Sequence, residues 1–157
     1  MSTKTLKFFI PGKPKGKQRP QFNSVTKEAF TPTQTLRYED YTKWFMYTFM
    51  DKLKSFEPYK DNEPLFIKCI SYVLLPKSKL KAYENSMGLL FPTIKPDFDN
   101  IEKIIADAMN KLVYPDDKQI THSMSAKFYT DDPLKEGVHV EVKSIFSMPP
   151  QLLKWFK

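Results

Sequence analysis

Residues 98–112 constrain the fold more than any other stretch of the chain. Ile101, Ile104, Ile105, Ala108 and Leu112 recur at helical intervals, so one face of this segment is apolar and has to be buried against a second layer. Lys103 and Asp107 stand on its polar side. Flanking segments are predicted to supply that layer. Residues 64–75, rich in Ile, Val, Phe and Leu and closed by Pro76, read as a strand central to a sheet. Residues 119–129 and 138–146 read as two further strands, with Asp131, Asp132, Pro133 and Gly137 in the turn between them. Residues 5–10 form an opening strand, ended by Pro11 and Gly12. After Pro32 no proline or glycine interrupts the chain until beyond Phe56, and Tyr41, Trp44, Phe45, Thr48 and Phe49 recur at helical spacing, which predicts a second helix capped by Thr33. Residues 77–88 read as a short helix or a loop, and a helical turn is expected from Met148 onward. The expected fold is therefore α+β, a mixed β-sheet packed against two main helices.

With 157 residues, 41% of them hydrophobic, the chain suits a single domain with one core. No apolar run approaches the roughly 20 residues that span a bilayer, and the first strand is too short for a signal-peptide core, so a soluble cytoplasmic protein is expected. Cys69 is the lone cysteine and lies in an apolar strand, where it reads as an inert core thiol.

The polar residues around the residue 98–112 helix cannot be core. Lys95-Pro96-Asp97-Phe98-Asp99-Asn100 opens it, Lys103 and Asp107 follow on it, and Asp116-Asp117 comes one turn beyond it. Asp97 and Asp99 alternate at the helix mouth, where exposed backbone N–H groups favour negative charge. One aspartate would satisfy a cap. Like charges about 4 Å apart repel by about 4 kcal/mol at an effective dielectric near 20, so a convergent carboxylate cluster needs a cation or a proton. Hard oxygen donors without nearby histidine or cysteine favour Mg²⁺, with Mn²⁺ as a substitute, and such an ion engages phosphates while a lysine such as Lys103 offsets developing charge. The alternative on these residues alone is a capped helix followed by an acidic turn.

The run from Lys95 to Asn100, with Lys103, Asp107-Ala108 and Asp116-Asp117-Lys118-Gln119-Ile120, resembles the signature of the RusA family of Holliday junction resolvases. The resemblance implies a homodimeric endonuclease, often phage- or prophage-borne, that nicks four-way junctions in DNA recombination and repair using Mg²⁺. It implies that Asp97, Asp99 and Asp117 are metal ligands and Lys103 the catalytic lysine. Asp116, Asp107 and Asn100 are then supporting residues, Asp107 being either a second-shell or a structural acid. A straight helix to Leu112 carries the chain about 20 Å away from Asp97, so Asp117 completes the site either in its own subunit or in the partner's.

Lysine and arginine number 25 against 18 acidic residues, a formal charge of +7 that suits an anionic polymer. The densest positive charge is the proline-broken loop with Lys13, Lys15, Lys17 and Arg19, the expected DNA contacts. The residue after Arg19-Pro20 is Gln21, where relatives often carry another basic residue. The aromatics at 38, 41, 44, 45 and 49 are expected to pack, as a core or a dimer face, rather than stack on bases. Other functions compatible with these residues are cutting at forks or flaps, and junction binding without cutting; a membrane-surface role lacks an apolar anchoring helix beside the basic loop.

Overall fold

The computed structural model of the chain describes residues 4–52, 56–148 and 151. Strand β1 (Thr5–Pro11) turns Leu6, Phe8 and Ile10 to one face and is followed by the basic loop. A small hairpin, β2 (Gln21–Phe22) with β3 (Ala29–Phe30), then precedes the long helix α1 (Thr33–Lys52). After β4 (Leu65–Leu74) come a short helix α2 (Leu80–Asn85), helix α3 (Phe98–Met109), and strands β5 (Ile120–Thr130) and β6 (Gly137–Ser144). Among the described residues the main sheet has four strands in the order β1-β6-β4-β5. Only β4 and β5 run parallel, joined through α3, and the other neighbours are antiparallel. The sheet is mixed, as the residue patterns require, and β4 lies inside it.

One face of the sheet carries the core. Leu6, Phe8 and Ile10 of β1, Ile67 and Cys69 of β4, and Val138, Val140 and Val142 of β6 meet Ile101, Ile104, Ile105 and Met109 of α3. From α1, Tyr38 and Met46 join them, with Phe45 and Phe49 packed at the margin. Alternation of period two in the strands and the helical stripe of α3 thus lock into one apolar layer. Cys69 is buried there, and burial pushes its thiol well above the ordinary range.

Trp44 stacks on Tyr41, ring centroids 6.4 Å apart, but stays 61% exposed outside the core of the single chain, because the buried line on α1 is Tyr38, Thr42 and Met46, each one turn apart. Two local expectations, the Thr33 cap and the end of α3, are corrected. Thr33 does not stand before α1 but is its first helical residue, and the Pro32 carbonyl accepts from the N–H groups of Thr35 and Leu36. α3 stops at Met109 rather than continuing to Leu112, since Lys111 takes a left-handed φ of 64° and its N–H donates to the Tyr114 carbonyl at 2.7 Å. The stretch 77–88 contains the short α2 after a 3-10 turn, and most of the turn expected after Met148 lies outside the described residues.

Candidate active site

Helix α3 presents two faces with different work. Its buried face holds it on the sheet, while Asp99, Lys103 and Asp107 follow one another at four-residue steps along the outer face, about 6 Å of rise per step. Asp97 occupies the N-cap position with extended backbone, φ −70° and ψ 147°, and its carbonyl accepts from Ile101 N–H at 3.2 Å. Its carboxylate makes no capping hydrogen bond. Asp97 and Asp99 are both exposed at the helix mouth, so neither acid is consumed by the helix it opens.

Asp116 and Asp117 differ in kind. Asp116 caps the 3-10 turn Asp117–Gln119, accepting from Lys118 N–H at 3.0 Å, and pairs with the Lys118 ammonium at 3.3 Å. The backbone hydrogen bond from Lys118, aided by its charge, lowers the Asp116 pKa. Asp117 instead turns back to α3, where its carboxyl comes beside that of Asp107, close enough to share a proton when one of the two is protonated. Burial, the hydrogen bond with Asp107 and the negative charges of Asp107 and Asp116 raise its pKa, and the nearby Lys103 charge only partly opposes them.

The return of Asp117 is built from both sides. Upstream, Tyr114 is buried and its hydroxyl donates to the Ala106 carbonyl at 2.9 Å, while the Val113 carbonyl accepts from Tyr59 N–H at 2.8 Å. Downstream, the Gln119 amide donates to the carbonyls of Lys60 at 2.7 Å and Glu63 at 3.1 Å. Because α3 ends early, the same chain delivers Asp117 to Asp107 at the C-terminal end of the helix, two turns from Asp99. Among the described residues no group of three or more Asp, Glu, His or Cys side chains is close enough to hold a metal ion by itself. Asp107 and Asp117, two hard carboxylates in contact, are nevertheless as many protein ligands as Mg²⁺ commonly takes.

The raised Asp117 pKa has a measurable consequence. A carboxyl with a folded-state pKa above its unfolded value contributes stability at low pH that is lost as pH rises through the folded pKa. Asp117→Asn removes that ionisation and can still donate to Asp107. In divalent-free buffer its Tm at neutral pH is expected to exceed that of the wild type, the gain shrinking as pH falls through the carboxylate range. A lower Tm at neutral pH would contradict the repulsive account.

The basic loop lies directly on the helix mouth. Gly16 touches α3 so closely that a Cβ there would stand 2.8 Å from the Cβ of Pro96 and 3.1 Å from that of Asn100, and Lys17 N–H donates to the Asn100 carbonyl at 2.9 Å. The preceding segment is tied down by Lys127 of β5, whose ammonium donates to the carbonyls of Ile94 at 2.7 Å and Pro96 at 2.8 Å. The result is a groove of about 750 Å³ lined by Lys13, Lys15 and Arg19 of the basic loop and by Lys95, Asp97 and Asn100 of the segment that opens α3. Lys17 lines it too, but its ammonium is engaged by Asp107 and, at 3.5 Å, by Glu39 of α1. Glu39, Lys95 and Lys127 were not singled out from sequence. Lys95 belongs to the acidic motif and could have been, whereas Glu39 and Lys127 carry no local signal.

No helix among the described residues is long and apolar enough to cross a membrane. A Bacillus subtilis (strain 168) protein, Uncharacterized protein YqaN, is 42% identical over 77 residues, covering 46% of this chain and 54% of that relative. The chain thus spans about half the length of that curated relative. The family model for Endodeoxyribonuclease RusA matches residues 11–149, which include the basic loop, the whole of α3 and the Asp116-Asp117 turn. The chain belongs to the RusA endodeoxyribonuclease family.

Proposed function

We propose that this protein is a Mg²⁺-dependent endonuclease that resolves four-way DNA junctions, acting as a homodimer. The observation that carries this reading is the seating of a cationic groove on the mouth of α3, where Asp97 lines the same groove as Lys13, Lys15, Arg19 and Lys95. Cations along the groove hold phosphates of the backbone, and binding of this kind weakens steeply with salt. An acid lining a phosphate-binding groove repels DNA unless a cation lies between them, which gives the exposed Asp97, with the exposed Asp99 two residues on, a purpose a cap does not explain.

Asp97, Asp99 and Asp117 are the proposed ligands of the metal; since Asp117 lies two turns of α3 from Asp99 within one chain, Asp97 and Asp99 of one subunit are set against Asp117 of the other, with Asp107 beside Asp117 as a supporting acid. When bound, Mg²⁺ supplies a Lewis acid for the scissile phosphate and lowers the pKa of a water. This chain's residues do the remaining work. Lys13, Lys15 and Arg19 fix the strand, and Lys103 places a positive charge on the outer face of α3, between Asp99 and Asp107, to offset charge that develops at the phosphate. Two such grooves in a dimer would address opposite strands of one junction.

Cleavage of a labelled synthetic four-way junction, beside linear duplex, fork and flap, with Mg²⁺ or EDTA, tests the proposal. Paired nicks in the junction alone, lost with EDTA, are expected. Cutting mainly at forks or flaps would replace the substrate while keeping the chemistry, and binding without cutting would overturn the nuclease reading.

A further inference from the structure

Four segments distant in sequence meet at one chain of charges. Glu39 of α1 contacts the Lys17 ammonium of the basic loop; Lys17 contacts Asp107 of α3; Asp107 lies beside Asp117 of the returning turn, which packs on α3. The side chains of Lys17, Asp107 and Glu39 are 29%, 19% and 15% exposed, so the ion pairs are partly withdrawn from water. Lys17 therefore differs from Lys13, Lys15 and Arg19, none of which has a carboxylate within ion-pair distance among the described residues.

We propose that Lys17 is a positioning residue of the cleavage site rather than a phosphate contact: with Glu39 it holds Asp107, and through Asp107 it orients Asp117. Three observations support this. Its backbone is pinned to α3 through the Asn100 carbonyl, so the ammonium is delivered from a fixed root. Asp107 sits between Lys17 and Asp117, so any displacement of Lys17 is felt one contact away from a proposed ligand. The acids Glu39, Asp107, Asp116 and Asp117 cluster around the end of α3, and a single internal ammonium between two of them lets the cluster form without recruiting a solvent cation at each acid. Lys17 is then an internal counter-ion, and its charge is already spent when DNA arrives.

The inference rests on the nuclease reading and is tested by Lys17→Met, Lys17→Arg, Glu39→Gln and, as a contrast, Lys15→Met. For Lys17→Met the expected result is a kcat lower by about 10- to 100-fold with little change in KM, as for other residues that orient metal ligands. Junction Kd in metal-free buffer should stay within a few-fold, with the same slope of log Kd against log salt as wild type. Lys17→Arg keeps the charge and is expected to recover most of kcat; Glu39→Gln should reproduce the loss in milder form and serves if Lys17→Met fails to fold. Lys15→Met should instead flatten the salt slope by about 0.9, the signature of one lost phosphate contact. A Lys17→Met protein with wild-type kcat, or with the flattened slope of Lys15→Met, would overturn the proposal. Wild-type protein that binds junctions in the same assay without cutting them overturns the nuclease reading itself, and the positioning role with it, an outcome separate from failure of Lys17→Met alone.

Discussion

Asp99→Asn is expected to lower the rate of four-way junction cleavage by about a thousandfold, or about 4 kcal/mol of transition-state stabilisation, while junction binding holds or tightens. The expectation follows from where the residue stands. Asp99 lies in the first turn of α3, exposed, so its carboxylate contributes little to holding the helix in place. Asn is nearly the same size and gives up only the attraction of a negative charge to the helix N-terminus, about 0.3–1 kcal/mol, so Tm should fall by no more than a few degrees and a thousandfold loss of rate reports chemistry. Removing one negative charge near a cationic groove also lessens repulsion of phosphate, which is why affinity should not fall. Asp116→Asn provides the contrast. Asp116 already spends its carboxylate on capping the 3-10 turn and pairing with Lys118, and asparagine caps nearly as well, so most activity should survive. Gel-based cleavage, a binding titration and a thermal melt on the two variants decide the matter, and full activity in Asp99→Asn would remove Asp99 from the site.

Tyr114→Ala is the substitution expected to cost the fold most among those near the site. The ring is almost entirely buried in the core, and its hydroxyl satisfies the Ala106 carbonyl, a helix-end group left over because the Asn110 N–H turns instead to the Asp107 carbonyl. Loss of a buried aromatic costs about 3–5 kcal/mol, and the stranded carbonyl adds to it. A fall in Tm on the order of 10 °C should follow. Tyr114→Phe keeps the ring and loses only the hydrogen bond, about 1 kcal/mol, so the pair separates packing from polar satisfaction. Because Tyr114 also anchors the turn that delivers Asp117, the alanine variant should lose cleavage at temperatures where it is still folded. A melt within a degree or two of wild type would show that the turn is held elsewhere.

Much of this architecture is legible in the sequence because burial imposes periods. β1, β4, β6 and α3 all bury one face, and their alternating or helical patterns survive as plain text in residues such as Leu6, Phe8 and Ile10 or Ile101, Ile104 and Ile105. The hairpin β2–β3 has two residues per strand, all exposed, so no period marks it. Trp44 is large and apolar and sits near helical spacing, yet the helix turns it out of the core of the single chain and onto Tyr41.

The acids of the candidate site are legible as residue types, but their pairing is not. Whether Asp117 meets the mouth of α3 or its end depends on where the helix stops, and the stop is made by Lys111 in a left-handed conformation, without a glycine to announce it. Lys17 poses the same difficulty. In the run of basic residues it looks like its neighbours, and the Glu39 that separates it from them lies in another helix.

Helix α3 has no idle side. Ile101, Ile104, Ile105 and Ala108 hold it to the sheet while Asp99, Lys103 and Asp107 occupy the opposite arc, so the two sets share one rotational register. Inserting or deleting a single residue inside it turns everything downstream by about 100° and would drive Asp107 toward the core while swinging an isoleucine out. Length changes that loops such as residues 86–94 can absorb are therefore closed to this helix, and evolution or engineering can retune the site only by exchanging side chains in place.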